Sequence, residues 1–365
     1  MSDYTLPELG PHGYKMTVAG KVRDSAGTVL RTTDSSGAFM VGELERLDQT
    51  MHMPLASVTW HRDIDMRTDV TVADELSSFT LSTGGSPGGL GAGNTVGKGK
   101  SWAGKVTNQV TSQSVDISKT TNPLRVWEQE VKYTILELES AAKTGRPIDQ
   151  QKLEFLQLKH QMDIDEQVYV GDLTTGDTGL LNATLITNTA QVATKAAGGT
   201  QWANSQPDEI LADINSLITS VWSASAWAVM PNRLLIPPTQ FGLLSTMKVS
   251  TAGNVSVLKY VLENNITVRA SGKNGLEIFP CKWLVGLQAG VGSASFGVLP
   301  ANKTSTSYDV MFCYTKQYNR VRYPMTTLQR TPIQYSGIWH MTTYFCRLGV
   351  VEVVYPETAG WRYGI

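Results

Sequence analysis

Charge is scarce in this chain. Only 17% of its 365 residues are Asp, Glu, Lys or Arg, against roughly 25% in an ordinary soluble domain. Its 31 basic and 32 acidic residues leave a formal net charge of -1. That balance argues against a strongly basic nucleic-acid reader, whose affinity comes from Lys and Arg on phosphates. It does not exclude enclosing nucleic acid without gripping it. Two readings fit so little charge: a neutral β-rich protein, or a surface that mostly faces other protein. Cysteine is scarce too. Cys281, Cys313 and Cys346 are widely spaced and form no CxxC pair. A zinc ribbon or thioredoxin-like site is therefore unsupported, and free thiols in a reducing compartment are expected. The five histidines, His12, His52, His61, His160 and His340, fall in no HExxH or other paired spacing. The nine tryptophans are scattered and offer no base-stacking platform. No run of about 18 apolar residues exists, so no membrane-spanning helix is expected. The opening MSDYTLPELGPHGYK has no basic segment followed by an apolar run, so no secretory leader is expected. There is no internal repeat and no heptad run.

What is present suffices for a sizeable core: 41% of residues are apolar. The length fits one large or two modest domains. Residues 1–55 are weakly periodic and read as an arm with short strands. VTWHRDIDMRTDVTVADELSSFTLST (58–83) and the Val- and Thr-rich 102–135 read as strands. Between them lies GGSPGGLGAGNTVGKGKS (84–101). LELESAAKTG then predicts a short helix closed by Gly145. Pro147 and Asp149 open a second helix of about 21 residues, roughly 32 Å long, ended by Gly171. At about 100° per residue its apolar positions form two stripes. Leu153, His160, Ile164 and Val168 lie on one; Phe155, Leu158, Met162 and Tyr169 lie on the other. A surface helix ordinarily has one, so this helix is expected to pack on two sides. PDEILADINSLITSVWSAS is a further helix, with Pro207 at its start and Asp208 and Glu209 complementing its dipole. NRLLIPP reads as a buried strand, 239–247 and 254–264 as helices, and the last hundred residues mostly as strands, LEIFPCKWLVGL among them. The class is α+β.

Three chemical motifs are nearly met. Gly99, Lys100 and Ser101 end a phosphate-cradling loop, but Asn94 stands where its first glycine belongs, and the sequence that follows is β-like. Gly84, Ser86 and Gly88 match a nucleophile elbow, but Pro87 and the flanking glycines favour a loop over a strand-to-helix turn. Asp163, Asp165, Asp172 and Asp177 miss the calcium-loop pattern and read as a solvated helix edge and turn. His61-Arg-Asp-Ile-Asp-Met reads as a strand with exposed charges. No catalytic residue, cofactor or metal is expected.

The middle of the chain resembles a known family. VWEQEVKYTILELESAAKTGRPID, then KLEFLQLKHQMDIDEQVYVGD, then TGLLN (178–182) are similar to the core of tailed-bacteriophage major capsid proteins of the Hong Kong 97-type fold. PDEILADINSLITSVW with MPNRLLIPPTQFGLL resembles the start of that family's axial domain. RTPIQYSGIWHMTTYFCRLGVVEVVYPETAGWRYGI resembles its closing segment. The resemblance spans about residues 60 to 365 and rests on the order of elements more than on one motif.

It implies an N-terminal arm (1–55), a first part of a peripheral domain (56–80) and an extended β-hairpin loop (81–122). It further implies a peripheral domain (123–204) with a spine helix (149–170), an axial domain (205–330) and a return into the peripheral domain (331–365). The implied function is a head protein assembling into hexamers and pentamers as an icosahedral shell around double-stranded DNA, enclosed without sequence-specific binding. Implied partners are further copies of the chain, a portal and a separate scaffolding protein, with a decoration protein left open. The implied location is the virion, with assembly in the host cytoplasm. Lys98, Lys100, Trp102 and Lys105 become candidate intersubunit contacts in the extended loop. Leu153, Phe155, Leu158, Met162, Ile164 and Val168 become candidate packing positions of the spine. An encapsulin-type nanocompartment carrying enzyme cargo shares the fold and stays as an alternative. A nucleotide-using enzyme built on the near-phosphate loop is a third reading.

Overall fold

The computed structural model describes residues 15–16, 22–23, 54–85, 114–144, 148–172, 174–250, 254–271, 275–285, 309–317 and 319–365. The chain divides into two compact units, Met1–Pro54 and Leu55–Ile365. Of the first, the described part is an antiparallel pair, β1 (Lys15–Met16) with β2 (Val22–Arg23). The expected arm otherwise lies outside the described residues.

The second unit is organised by one five-stranded sheet. Its order is β7 (Thr189–Gln191), β16 (Gly360–Tyr363), β10 (Val310–Tyr314), β8 (Arg233–Ile236), β9 (Glu277–Pro280). β10, sequence VMFCY, is buried at every position. Side chains alternate across a strand, so Val310, Phe312 and Tyr314 face one core and Met311 and Cys313 face another. β8 divides likewise, with Leu235 in the first core and Leu234 and Ile236 in the second. A strand covered on both faces needs an unbroken apolar run, which is what both segments have.

The second core is closed by helix α4 (Pro207–Ala224) with α5 (Pro238–Thr246) and α6 (Val257–Asn264). Pro207 sits at the first position of α4, and the Gln206 backbone N–H donates to Glu209 Oε2 at 2.8 Å. Ile210, Ile214, Leu217, Ile218 and Val221 make its buried stripe.

The first core lies under α3 (Ile148–Tyr169), which runs 22 residues after α2 (Ile135–Thr144). The stretch after α3 acts as a latch. Gly171 adopts φ +78°, a left-handed helix end that glycine tolerates. The chain doubles back so that Leu180 N–H donates to Val168 O at 2.8 Å and Leu181 N–H to Tyr169 O at 3.0 Å. Asn182 accepts from Gly179 N–H and donates to Val170 O. A Cβ on Gly179 would sit 2.5 Å from Tyr169 C and Val170 N. The glycine in G-L-L-N is therefore required by close approach.

Among the described residues, three smaller sheets complete the unit. β15 (Glu352–Val353), β11 (Val321–Pro324) and β3 (Asp65–Arg67) form one. β6 (Arg125–Thr134) pairs over all ten residues with β14 (Trp339–Leu348), which also pairs β12 (Gln329–Arg330) and β13 (Gln334–Ser336). β4 (Leu76–Gly85) and β5 (Ser114–Pro123) make a hairpin by themselves.

The final strand, Gly360–Tyr363, enters the five-stranded sheet between β7 and β10, where Trp361 is fully buried beside Phe312. Three expectations need correction. Of LEIFPCKWLVGL, the described residues are strand only over Glu277–Pro280, followed by a 3-10 turn at Lys282–Leu284. His61-Arg-Asp-Ile-Asp-Met begins as a helical turn, α1 (Trp60–Asp63), with Asp63 fully buried. Asp165 is not on a solvated edge. It is buried, accepting from the backbone N–H groups of Thr59 and Trp60 at 2.8 and 3.0 Å and from Trp283 Nε1 at 2.9 Å.

Candidate assembly surfaces

One exposed element is the β4–β5 hairpin. Two ten-residue strands extend roughly 33 Å at about 3.3 Å per residue. A lone two-stranded ribbon is marginal in water. Here Val115 and Ile117 are 63% and 67% exposed, and Leu76 is exposed too. Among the described residues, no element covers them.

The base of this ribbon is fixed by charge. Glu352, buried on β15, accepts from Arg67 Nη1 at 3.2 Å and Arg322 Nε at 2.6 Å, and from the Ser77 hydroxyl on β4. Arg67 also donates to Ser78 O and forms an ion pair with Asp69 at 2.7 Å. The Asp69 hydrogen bond, with help from the Glu352 charge, holds the Arg67 guanidinium above its ordinary pKa. Arg347 on β14 donates to Val72 O at 2.7 Å and Leu124 O at 3.1 Å, the carbonyls flanking the hairpin. The ribbon is thus anchored at its root, with residues 115–121 of β5 exposed beyond it.

A second surface is the outer end of the β6–β14 ribbon. Ile135 N–H donates to Ile338 O at 3.1 Å, which brings the start of α2 to the β13–β14 turn. Ile135, Leu136, Ile338 and Trp339 are exposed there, and Tyr335 is 70% exposed. These exposed apolar side chains lie at one end of the ribbon. Behind it, a cleft of about 350 Å³ opens between α3 and β6, with Val131, Leu153, Pro332, Ile333 and Tyr344 in its wall.

The α3 positions divide. Ile164 and Val168 are fully buried, whereas Leu153 and Leu158 are half-buried. Phe155 and Met162 remain 40% and 44% exposed. Sequence periodicity missed Leu156, which is buried; its spacing of four from His160 was the available signal. Tyr169 is drawn inside by donating its hydroxyl to Asp63. Lys98, Lys100, Trp102 and Lys105 lie outside the described residues, as do Asn94 and most of the two glycine-rich near-motifs.

The buried groups give little scope for chemistry. Burial pushes the Cys281 and Cys346 thiols up to about 12 and raises Cys313 further. A thiol must ionise to act as a nucleophile or ligand. His160 Nε2 lies 3.2 Å from Cys346 Sγ, and burial lowers the imidazole pKa. Both partners are thereby held neutral near pH 7. Among the described residues no cluster of His, Cys, Asp and Glu could hold a metal ion, and no helix is long and apolar enough to cross a membrane.

A family model described as Major capsid protein matches residues 99–365, well over half of the chain. Solved structures share the fold. The capsid of Myoviridae phage XM1 is 15% identical, with TM-score 0.65 over 89% of this chain and 98% of that one. The capsid of a native GTA particle is 14% identical, with TM-score 0.54 over 90% and 98%. The Microbacterium phage Oxtober96 structure is 12% identical, with TM-score 0.51 over 90% and 98%. No curated protein matches the chain in sequence.

Proposed function

The chain belongs to the major capsid protein family and is a subunit of a phage head shell; on that premise we propose that it closes into hexamers and pentamers of an icosahedral head around packaged double-stranded DNA. The observation that carries this reading is the β4–β5 hairpin, anchored at its root and carrying the exposed apolar side chains Leu76, Val115 and Ile117 among Ser and Thr. Such a ribbon gains stability when it lies on a neighbouring subunit. The patch at the β13–β14 turn adds a second contact area. Large total area from many moderate contacts is how symmetric shells cohere.

In this reading residues 1–55 are an arm and 81–122 the extended loop, whose strands begin at Leu76. The two cores on either side of β10 separate a peripheral part, with α3 as its spine, from an axial part, with α4. Lys98, Lys100, Trp102 and Lys105 are contacts at the loop, and Phe155 and Met162 are covered by a neighbour. A portal, a separate scaffolding protein and assembly in the host cytoplasm complete the proposal. The nanocompartment alternative draws no support from a family match to capsid proteins.

Negative-stain microscopy of the expressed full-length protein tests the reading. Closed round shells are expected, and a monodisperse small oligomer overturns it. Deleting residues 86–101 should leave a folded subunit that no longer builds stable shells. Normal, equally heat-stable particles from that variant would sink the hairpin assignment.

A further inference from the structure

Helix α4 ends in an unusual turn. Residues that close a helix in the left-handed region are normally glycine or asparagine. Here two consecutive non-glycine residues do so, Ala226 at φ +53° and Trp227 at φ +64°. For a bulky side chain that conformation is an outlier that persists only where its surroundings impose it.

The surroundings do impose it. Trp227 N–H donates to Trp222 O at 2.9 Å, and Ala226 N–H to Ser223 O at 3.0 Å. Trp222 Nε1 donates to Trp227 O at 2.9 Å. The Ser225 hydroxyl donates to Trp222 O at 2.8 Å and receives Val229 N–H at 3.2 Å. These bonds all hold backbone; they do not bury the Trp227 ring. That ring is 56% exposed, touching the edge of Trp222 at 4.7 Å between centroids. The turn therefore spends conformational strain to hold a large aromatic ring out in solvent.

We propose that Trp227 is an intersubunit contact, an aromatic knob that inserts against a second copy of this chain in the shell. The occupant follows from the family: a shell subunit has its own copies as neighbours. It also follows from the chemistry of the turn. Its exposed neighbours, Ser223, Ala224, Ala226 and Ala228, are uncharged, which suits a dry protein contact and offers nothing to a phosphate. Exposed tryptophan is the residue type most enriched at contact hot spots. This inference rests on the shell reading and adds a specific contact to it, at the end of α4 and on neither the hairpin nor the β13–β14 patch.

The test uses substitutions that separate the turn from the ring. Trp227→Gly and Trp227→Asn both suit left-handed backbone and remove the knob; Trp227→Phe keeps an aromatic knob. Full-length variants are compared by light scattering for the concentration at which shells appear, and by thermal unfolding below that concentration. We expect W227G and W227N to unfold at or above the wild-type temperature, yet to need about tenfold more protein to assemble, the loss of one well-packed aromatic contact. W227F should assemble within about twofold of wild type. Unchanged assembly by W227G and W227N overturns the proposal, as does assembly that falls only in step with lowered subunit stability. If the wild type itself forms no shells, the shell reading fails first, and this contact with it.

Discussion

The root of the hairpin allows a quantitative prediction. Glu352→Gln keeps the shape of a buried side chain and removes its charge. The carboxylate now faces Arg67 Nη1 at 3.2 Å and Arg322 Nε at 2.6 Å, and both arginines are about 15% exposed. Removing one partner of a buried ion pair costs about 3–5 kcal/mol, because the other charge stays desolvated. Arg67 keeps Asp69 at 2.7 Å, on a carboxylate open to solvent. That partial replacement puts the expected loss at the lower end, about 3 kcal/mol. At about 2 °C per kcal/mol for a unit of this size, the unfolding midpoint should drop roughly 6 °C. Differential scanning calorimetry of the unassembled protein measures it. Arg67→Met and the double variant complete a cycle, with a coupling of about 1–3 kcal/mol expected between directly bonded residues. The hairpin strands should still pair, since their ladder does not involve Glu352. A midpoint within about 1 °C of wild type, or additive single variants, would refute the claim that this carboxylate anchors the arm.

Two further predictions concern the core. Gly179→Ala should unfold or abolish soluble expression, since its Cβ would meet Tyr169 C and Val170 N at 2.5 Å. Gly176→Ala, at φ +77° with nothing within 4 Å, should cost only about 1–2 kcal/mol in thermal unfolding. Equal effects would discredit the latch. The native thiols should resist Ellman's reagent at pH 8 until denaturant is added, because burial holds Cys281 and Cys346 near 12. A folded pKa above the unfolded one makes the native state bind more protons. Those thiols thus contribute stability fully below about pH 8.5, and it is lost as pH rises towards 12. Rapid labelling of the native protein, or flat stability across that alkaline range, would contradict the burial.

Local signals in the chain were strong where local physics decides. The long helix, expected over 149–170, spans Ile148–Tyr169; Pro207 and Glu209 mark the start of α4. The α+β class and the capsid fold were legible in the order of such elements. Misreadings arose where a partner lies far away in sequence. Asp63 and Asp165 look like surface acids, yet Asp165 caps Thr59 and Trp60 from 106 and 105 positions away. For Gly360–Tyr363 no reading chose a sheet, since only the buried place beside Phe312 selects one. Phe155 and Met162 are apolar at helical spacing but face outward in the single chain. Periodicity reports that a face is apolar without saying whether the cover comes from the same molecule. Trp227 carries no sequence signal, because backbone sign is invisible in a run of Ser, Ala and Trp.

β10 has one more consequence. Its five side chains are shared out between two interiors, so the strand is a party wall. Neither interior can melt while the other stays shut. Leu55–Ile365 should accordingly come apart in one calorimetric step, despite housing two cores. Drift in sequence is yoked in the same way. A change in bulk at Phe312 presses on Met311 and Cys313 through the backbone they share, and repair on one side must suit the tenants of the other.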